Sequence, residues 1–238
     1  MITFLDFFLK SYDILNESLL IVNRLKRRED MSTTKGMVLT LITYFLAIGS
    51  PVFLTNFLHL TSGSLWLSFS SYLIGTCLLL AFYLLTKNPH PSKPLTKNNV
   101  KNIFFYGLLG GLLSILAQLL GQLVYKLLVN SDVSPTNLSF QGSNWLLALI
   151  TVLILTPIME ELVFRQALTT LITEFFPPWI SGILSSAIFA VAHGNDFFIG
   201  YFLMGLSFYL IYRRSGSIWS AIISHMVMNL IVLLFSLN

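Results

Sequence analysis

An all-α protein that crosses a membrane about seven times is the fold this sequence predicts, and three observations lead to it. Of 238 residues, 55% are hydrophobic and only 10% are charged, with a mean hydropathy of +0.78; a soluble domain has roughly a quarter of its residues charged. Apolar runs near the ~20 residues that a helix needs to cross a ~30 Å hydrocarbon core recur along the chain. Lys and Arg gather in alternate intervals between those runs, as the positive-inside rule requires of loops on the cytoplasmic side.

Residues 1–35 make a cytoplasmic N-terminal segment. Asp6, Lys10, Asp13 and Glu17 interrupt it too often for a span, and it lacks the basic-then-apolar order of a signal peptide. Leu5, Phe8, Tyr12, Leu15, Leu19 and Val22 alternate in steps of three and four, which places them on one helical face. An amphipathic helix lying on the bilayer surface follows, with the basic stretch Arg24 to Arg28 behind it.

Three spans near 37–58, 65–86 and 103–129 fill residues 36–130 and carry nothing diagnostic of chemistry. Four more fall near 145–168, 179–193, 197–212 and 217–237, within a C-terminal unit of residues 145–238. Trp66, Trp145, Trp179 and Trp219 each stand at the start of a span, where an interfacial aromatic belt is expected. The fifth and sixth are short, so one of them is expected to be tilted or sheltered rather than a full crossing. Gly107, Gly110 and Gly111 in the third span, with Ser181, Gly182, Ser185 and Ser186 in the fifth, offer small faces for close helix packing.

Charge orients the chain. Arg24, Lys26, Arg27, Arg28 and Lys35 precede the first span, Lys87, Lys93, Lys97 and Lys101 separate the second from the third, and Arg213 and Arg214 separate the sixth from the seventh. The alternate loops at 59–64 and 130–144 have none. A multi-pass integral membrane protein with a cytoplasmic N-terminus and an external C-terminus follows. The lipid bilayer is its partner and nucleic acid is not, because the net charge of +4 belongs to the ends of spans. Cys77 is the single cysteine, so an intrachain disulfide and a cysteine-based zinc site are both excluded; inside a span it reads as a small buried apolar side chain.

Glu160 and Glu161 end the apolar run that begins at Trp145. A carboxylate at bilayer depth costs at least ~2.5–3.5 kcal/mol, so such residues face a polar cavity and usually act there. Glu161 and Arg165 are an i, i+4 pair with the acid on the favoured N-terminal side. Glu160 points about 100° away around the helix, which leaves it available as a general base. Pro177 and Pro178 should end the fourth helix and begin the fifth; they lie midway between Glu160 and His193, so an antiparallel hairpin turning there sets those two residues level. Phe189 precedes His193 by one turn on the same face. His225 and Asn229 form a further i, i+4 pair able to donate hydrogen bonds in one direction, which suits a developing oxyanion, although helix–helix hydrogen bonding would use them equally well.

The fragments Glu160-Glu-Leu-Val-Phe-Arg165, Phe189-Ala-Val-Ala-His193 and His225-Met-Val-Met-Asn229 together resemble the CPBP family, the CAAX prenyl proteases and bacteriocin-processing enzymes also called the Abi family. The motifs EExxxR, FxxxH and HxxxN stand in order on successive spans, over roughly residues 145 to 235. The resemblance implies an intramembrane endopeptidase acting on a membrane-associated peptide or protein. It assigns water activation to Glu160 and His193, the oxyanion to His225 and Asn229, and support of the site to Glu161 and Arg165.

A direct glutamate–histidine mechanism needs no cofactor and is the preferred expectation. A divalent metal, zinc, is the alternative, with Glu160, His193 and His225 as its ligands; the family is conventionally described as metalloproteases, yet the compact HExxH that presents two ligands from one helix is absent. Two other classes compete with the peptidase. A non-catalytic membrane partner, such as an immunity or regulatory protein, would not require the full set of catalytic-type residues. An ion-coupled transporter would show internal repeats, and none is visible in the sequence.

Overall fold

The computed structural model describes residues 32–59, 65–86, 97–129, 144–194 and 197–236. The amphipathic helix expected within residues 1–35 and the loops holding Pro89, Pro91, Pro94 and Pro135 lie outside the described residues. Seven helices account for the described chain: α1 Thr33–Phe57, α2 Leu65–Leu85, α3 Lys97–Val129, α4 Trp145–Thr173, α5 Pro178–Ala192, α6 Phe198–Ser215 and α7 Ile218–Ser236. Each coincides with an expected span. The protein is an all-α polytopic membrane protein: α1, α2, α3, α4 and α7 are long and apolar enough to cross a bilayer.

The other two helices explain why the count of about seven crossings divides as it does. α5 is apolar but only 15 residues long. α6 ends in Arg213 and Arg214 and buries Gly200, Tyr201, Met204, Gly205, Phe208, Tyr209 and Tyr212 against its neighbours. α6 is thus sheltered by protein, whereas α5 buries one face and leaves Trp179, Ile183, Ile188 and Val191 exposed on the other.

α4 is the hub, packing against α1, α2, α5, α6 and α7, while α3 lies against α6 and α7. Close approach depends on the small residues anticipated in α3 and α5. A Cβ on Gly107, Gly110 or Gly111 would run into Ile223, Ser224 or Val227 of α7, and one on Gly182 would enter the ring of Tyr209. Ser181, Ser185 and Ser186 are fully buried. Gly121 meets the backbone of Gly200, so α3 and α6 touch main chain to main chain there.

Cys77 corrects one expectation, since it is exposed rather than buried. In a membrane helix the outward face meets lipid, which accepts a thiol as readily as a protein core does. Leu73, Ile74 and Leu78 beside it face outward as well.

α4 is not a uniform helix. Its α-helical middle, Thr156–Glu161, is flanked by two π-helical stretches, Thr151–Leu155 and Leu162–Leu168. Pro157 lies at the first junction and has no N–H for the preceding turn, and the Thr156 N–H donates to the Thr151 carbonyl five residues back. The Pro177–Pro178 pair acts as the sequence predicts: Pro177 is extended and Pro178 opens α5, where a missing N–H costs nothing.

Candidate active site

π-bulges inside α-helices recur at functional sites, and the two glutamates stand between the two π stretches of α4. Glu161 is fully buried and saturated by its neighbours. Its Oε2 accepts from Arg165 Nε at 3.1 Å, and its Oε1 accepts from His225 Nδ1 at 3.0 Å. The expected i, i+4 pair is therefore present, and α7 is tied into it by His225.

Arg165 is likewise fully buried. Its guanidinium sits 4.9 Å from the Phe189 ring centroid, and Nη1 reaches Ser185 Oγ at 3.4 Å. A planar, weakly hydrated cation is well suited to this environment of a carboxylate and aromatic faces. Ser185 also donates to the Phe164 carbonyl at 2.5 Å, so the fifth helix is fastened to α4 beside the ion pair.

Glu160 is bound quite differently. Its Oε2 is buried and has no hydrogen-bond partner; His225 Nε2 lies 3.8 Å away, too far for a hydrogen bond. The carboxylate also lies within electrostatic reach of the hydroxyls of Tyr44 and Tyr72. With His225 neutral, two carboxylates and one guanidinium leave the cluster with one net negative charge. A protonated His225 balances it.

Both histidines are oriented by acceptors that fix their ring protons. His225 gives Nδ1–H to Glu161 and turns Nε2 toward Glu160, while its ring stacks on Phe208 at 4.7 Å. His193 gives Nδ1–H to the Phe189 carbonyl at 2.8 Å, which leaves Nε2 free to accept. Its ring stacks on Tyr201 at 4.0 Å and meets Phe189 at 4.4 Å. Phe189 is the common wall: its ring contacts His193, lies 6.3 Å from His225 and covers Arg165.

The residues predicted from sequence thus fall in one neighbourhood, with two differences of detail. No hydrogen bond or ion pair joins Glu160 to His193 among the described residues; they share a neighbourhood through Phe189 and the His225 ring rather than by contact. Asn229 donates its side-chain amide to the Val152 carbonyl at 2.9 Å, two turns before the glutamates on α4. The first three spans, expected to be uninformative, supply Tyr44, whose ring packs edge-on against Phe164 at 5.7 Å. A phenol inside an otherwise apolar run was the available signal, since a buried hydroxyl needs a polar neighbour. Tyr201 carried the same signal, whereas Phe208 gave none, because aromatic residues fill every span.

As a metal site, the donor set is incomplete. A hydrolytic zinc takes three protein ligands, and among the described residues no three His, Cys, Asp or Glu side chains are close enough to hold an ion. Glu160 and His225 would make two; His193 stands apart.

Fold and site define a membrane-embedded protein with a desolvated acid, a buried imidazole at His225 and a half-buried one at His193, a class of site equipped to activate water within a helix bundle. Comparison with known proteins finds that class. Residues 142–231 match the model of the family described as Type II CAAX prenyl endopeptidase Rce1-like, which is the family resemblance that the three motifs carry. The chain is 28% identical over 228 residues to the membrane-embedded CAAX protease MroQ of Staphylococcus aureus (strain USA300), an alignment covering 87% of this chain and 91% of that protein. It is 32% identical over 93 residues to YdiL of Bacillus subtilis (strain 168), whose name suggests a membrane peptidase; that alignment spans 39% of this chain and 38% of the relative's length. No solved structure matches significantly.

Proposed function

We propose that this protein is an intramembrane endopeptidase that cleaves a membrane-associated peptide or protein, with Glu160 as the general base. The observation that carries the reading is the contrast between adjacent carboxylates. Glu161 spends both oxygens on Arg165 and His225, whereas Glu160 keeps a buried oxygen without a partner. A desolvated acceptor that no protein group satisfies is expensive, and a substrate water is the natural donor for it.

In the proposed reaction a water donates to Glu160 and to His193 Nε2. Glu160 takes its proton as the oxygen attacks the scissile carbonyl carbon. The carbonyl π electrons move to oxygen, and a protonated His225 Nε2 donates to the resulting oxyanion. Collapse breaks the C–N bond, and Glu160 returns the proton to the departing amine. Glu161 and Arg165 hold His225 in register without touching substrate.

Glu160 lies near the middle of α4, about 20 Å from either end at 1.5 Å per residue, so the scissile bond must reach bilayer depth. A prenylated C-terminal CAAX segment brings its own lipid anchor and is the first substrate class to test. The expected outcome for Glu160→Gln is a loss of cleavage of at least about 100-fold, the scale of general-base catalysis, measured on a farnesylated CAAX peptide, with the variant inserted and monodisperse in detergent. Wild-type turnover in that variant would remove Glu160 from the mechanism. Retained peptide binding with no cleavage by the wild type would instead favour the non-catalytic membrane partner.

A further inference from the structure

α4 contains a carbonyl that its own helix cannot satisfy. In the π stretch Thr151–Leu155 the main-chain bonds run five residues back, as shown by the Thr156 N–H donating to the Thr151 carbonyl. The next bond in that register would run from residue 157 to the Val152 carbonyl, but residue 157 is proline and has no N–H. Thr156, the donor that a regular α-turn would direct to Val152, is already committed to Thr151. The Val152 carbonyl is partly buried, and left unpaired at membrane depth, where no water satisfies it, it costs free energy comparable to a lost hydrogen bond.

Asn229 supplies the missing donor, its Nδ2 lying 2.9 Å from the Val152 oxygen. The same face of α7 carries His225 one turn earlier, bonded to Glu161. α7 therefore grips α4 at two points, one on each side of Pro157: an imidazole on the glutamate pair and an amide on the opened backbone. We infer that Asn229 is a positioning residue, which replaces the absent N–H of Pro157 and thereby holds the π-bulge that sets Glu160 and His225 in register. This rests on the peptidase reading for its effect on cleavage, but the hydrogen bond itself does not.

Second-site rescue separates this role from a direct one on the oxyanion. Asn229→Leu should lower kcat on the farnesylated CAAX peptide by about 10- to 100-fold, the range for stranding one buried acceptor, with KM little changed. The double variant Asn229→Leu with Pro157→Ala regains an N–H directed at Val152 in the π register, and should return to within about 5-fold of wild type. An oxyanion donor could not be rescued from position 157. Hydrogen exchange over residues 150–162, read by mass spectrometry in detergent, provides the arm that is independent of activity: protection should fall in Asn229→Leu and return in the double variant. If Asn229→Leu does not accumulate, recovery of expression in the double variant supports the inference and failure to recover overturns it. Unchanged exchange in Asn229→Leu, or a double variant as inactive as the single one, also overturns it. If Glu160→Gln retains activity, the peptidase mechanism fails while the exchange measurement still decides the role of Asn229.

Discussion

Arg165 and Glu160 bear charge in the same cluster, yet their removal should differ sharply in its cost to stability. Arg165→Met strands Glu161 with a buried charge and one fewer donor, and breaking a buried pair in this way costs about 3–5 kcal/mol. Glu160→Gln removes a carboxylate whose inner oxygen has no partner, and should cost about 1 kcal/mol or less, within the range of ordinary substitutions. Thermal unfolding in detergent distinguishes them: a large fall in Tm for Arg165→Met beside a near-native Glu160→Gln. Equal stability of the two would mean that the Glu161–Arg165 bond is not what holds the site. Much of this was legible in the sequence because helical spacing is local: i, i+4 pairs at Glu161 and Arg165, or Phe189 and His193, follow from 3.6 residues per turn. The partner of Asn229 was not legible. It depends on the π register created around Pro157, a backbone detail that no side-chain pattern encodes.

Helix lengths and ends were readable for the same local reason, through apolar runs, the Pro177–Pro178 break and the arginines closing α6. Which helix touches which was not, because contact is set by the face each helix presents, and an all-apolar span shows no preferred face. Glycines recover some of that information, since a missing side chain is a cost unless a neighbour needs the space. Gly121 and Gly49 make a controlled pair. A Cβ on Gly121 meets the backbone of Gly200, which cannot rotate away, whereas nothing lies within 4 Å of one on Gly49. Gly121→Ala should therefore force α3 from α6 and destabilise by about 1–3 kcal/mol, as overpacking does. Gly49→Ala should be neutral or stabilise α1 by about 0.5–1 kcal/mol through backbone entropy. The comparison is made by detergent melting of the two variants, and a destabilised Gly49→Ala would show that α1 packs against something in the membrane.

At the scale of the whole molecule, charge and contact point to the same orientation. Thr34 at the start of α1 donates to Glu174 just past the end of α4 at 3.3 Å, the Tyr209 hydroxyl reaches the Pro178 carbonyl where α5 begins, and Tyr83 near the end of α2 packs against Trp219 near the start of α7. These contacts gather one set of helix ends into a single rim, and Lys35, Arg213 and Arg214 lie on the same ends of α1 and α6. By the positive-inside rule that rim is expected on the cytoplasmic side, which would direct the far end of α7 outward and the His193 end of α5 away from the cytoplasm. A test uses Cys77, the single cysteine, replaced by serine to give a silent background. In that background Ser236→Cys should react with a membrane-impermeant maleimide on intact cells, and Ser32→Cys only after permeabilisation. The reverse pattern would invert the protein and bring the His193 end to the cytoplasmic face, where a CAAX-bearing substrate arrives. The expected pattern would instead require such a substrate to carry its scissile bond from the cytoplasmic rim toward mid-bilayer, since Glu160 lies about 20 Å from either end of α4.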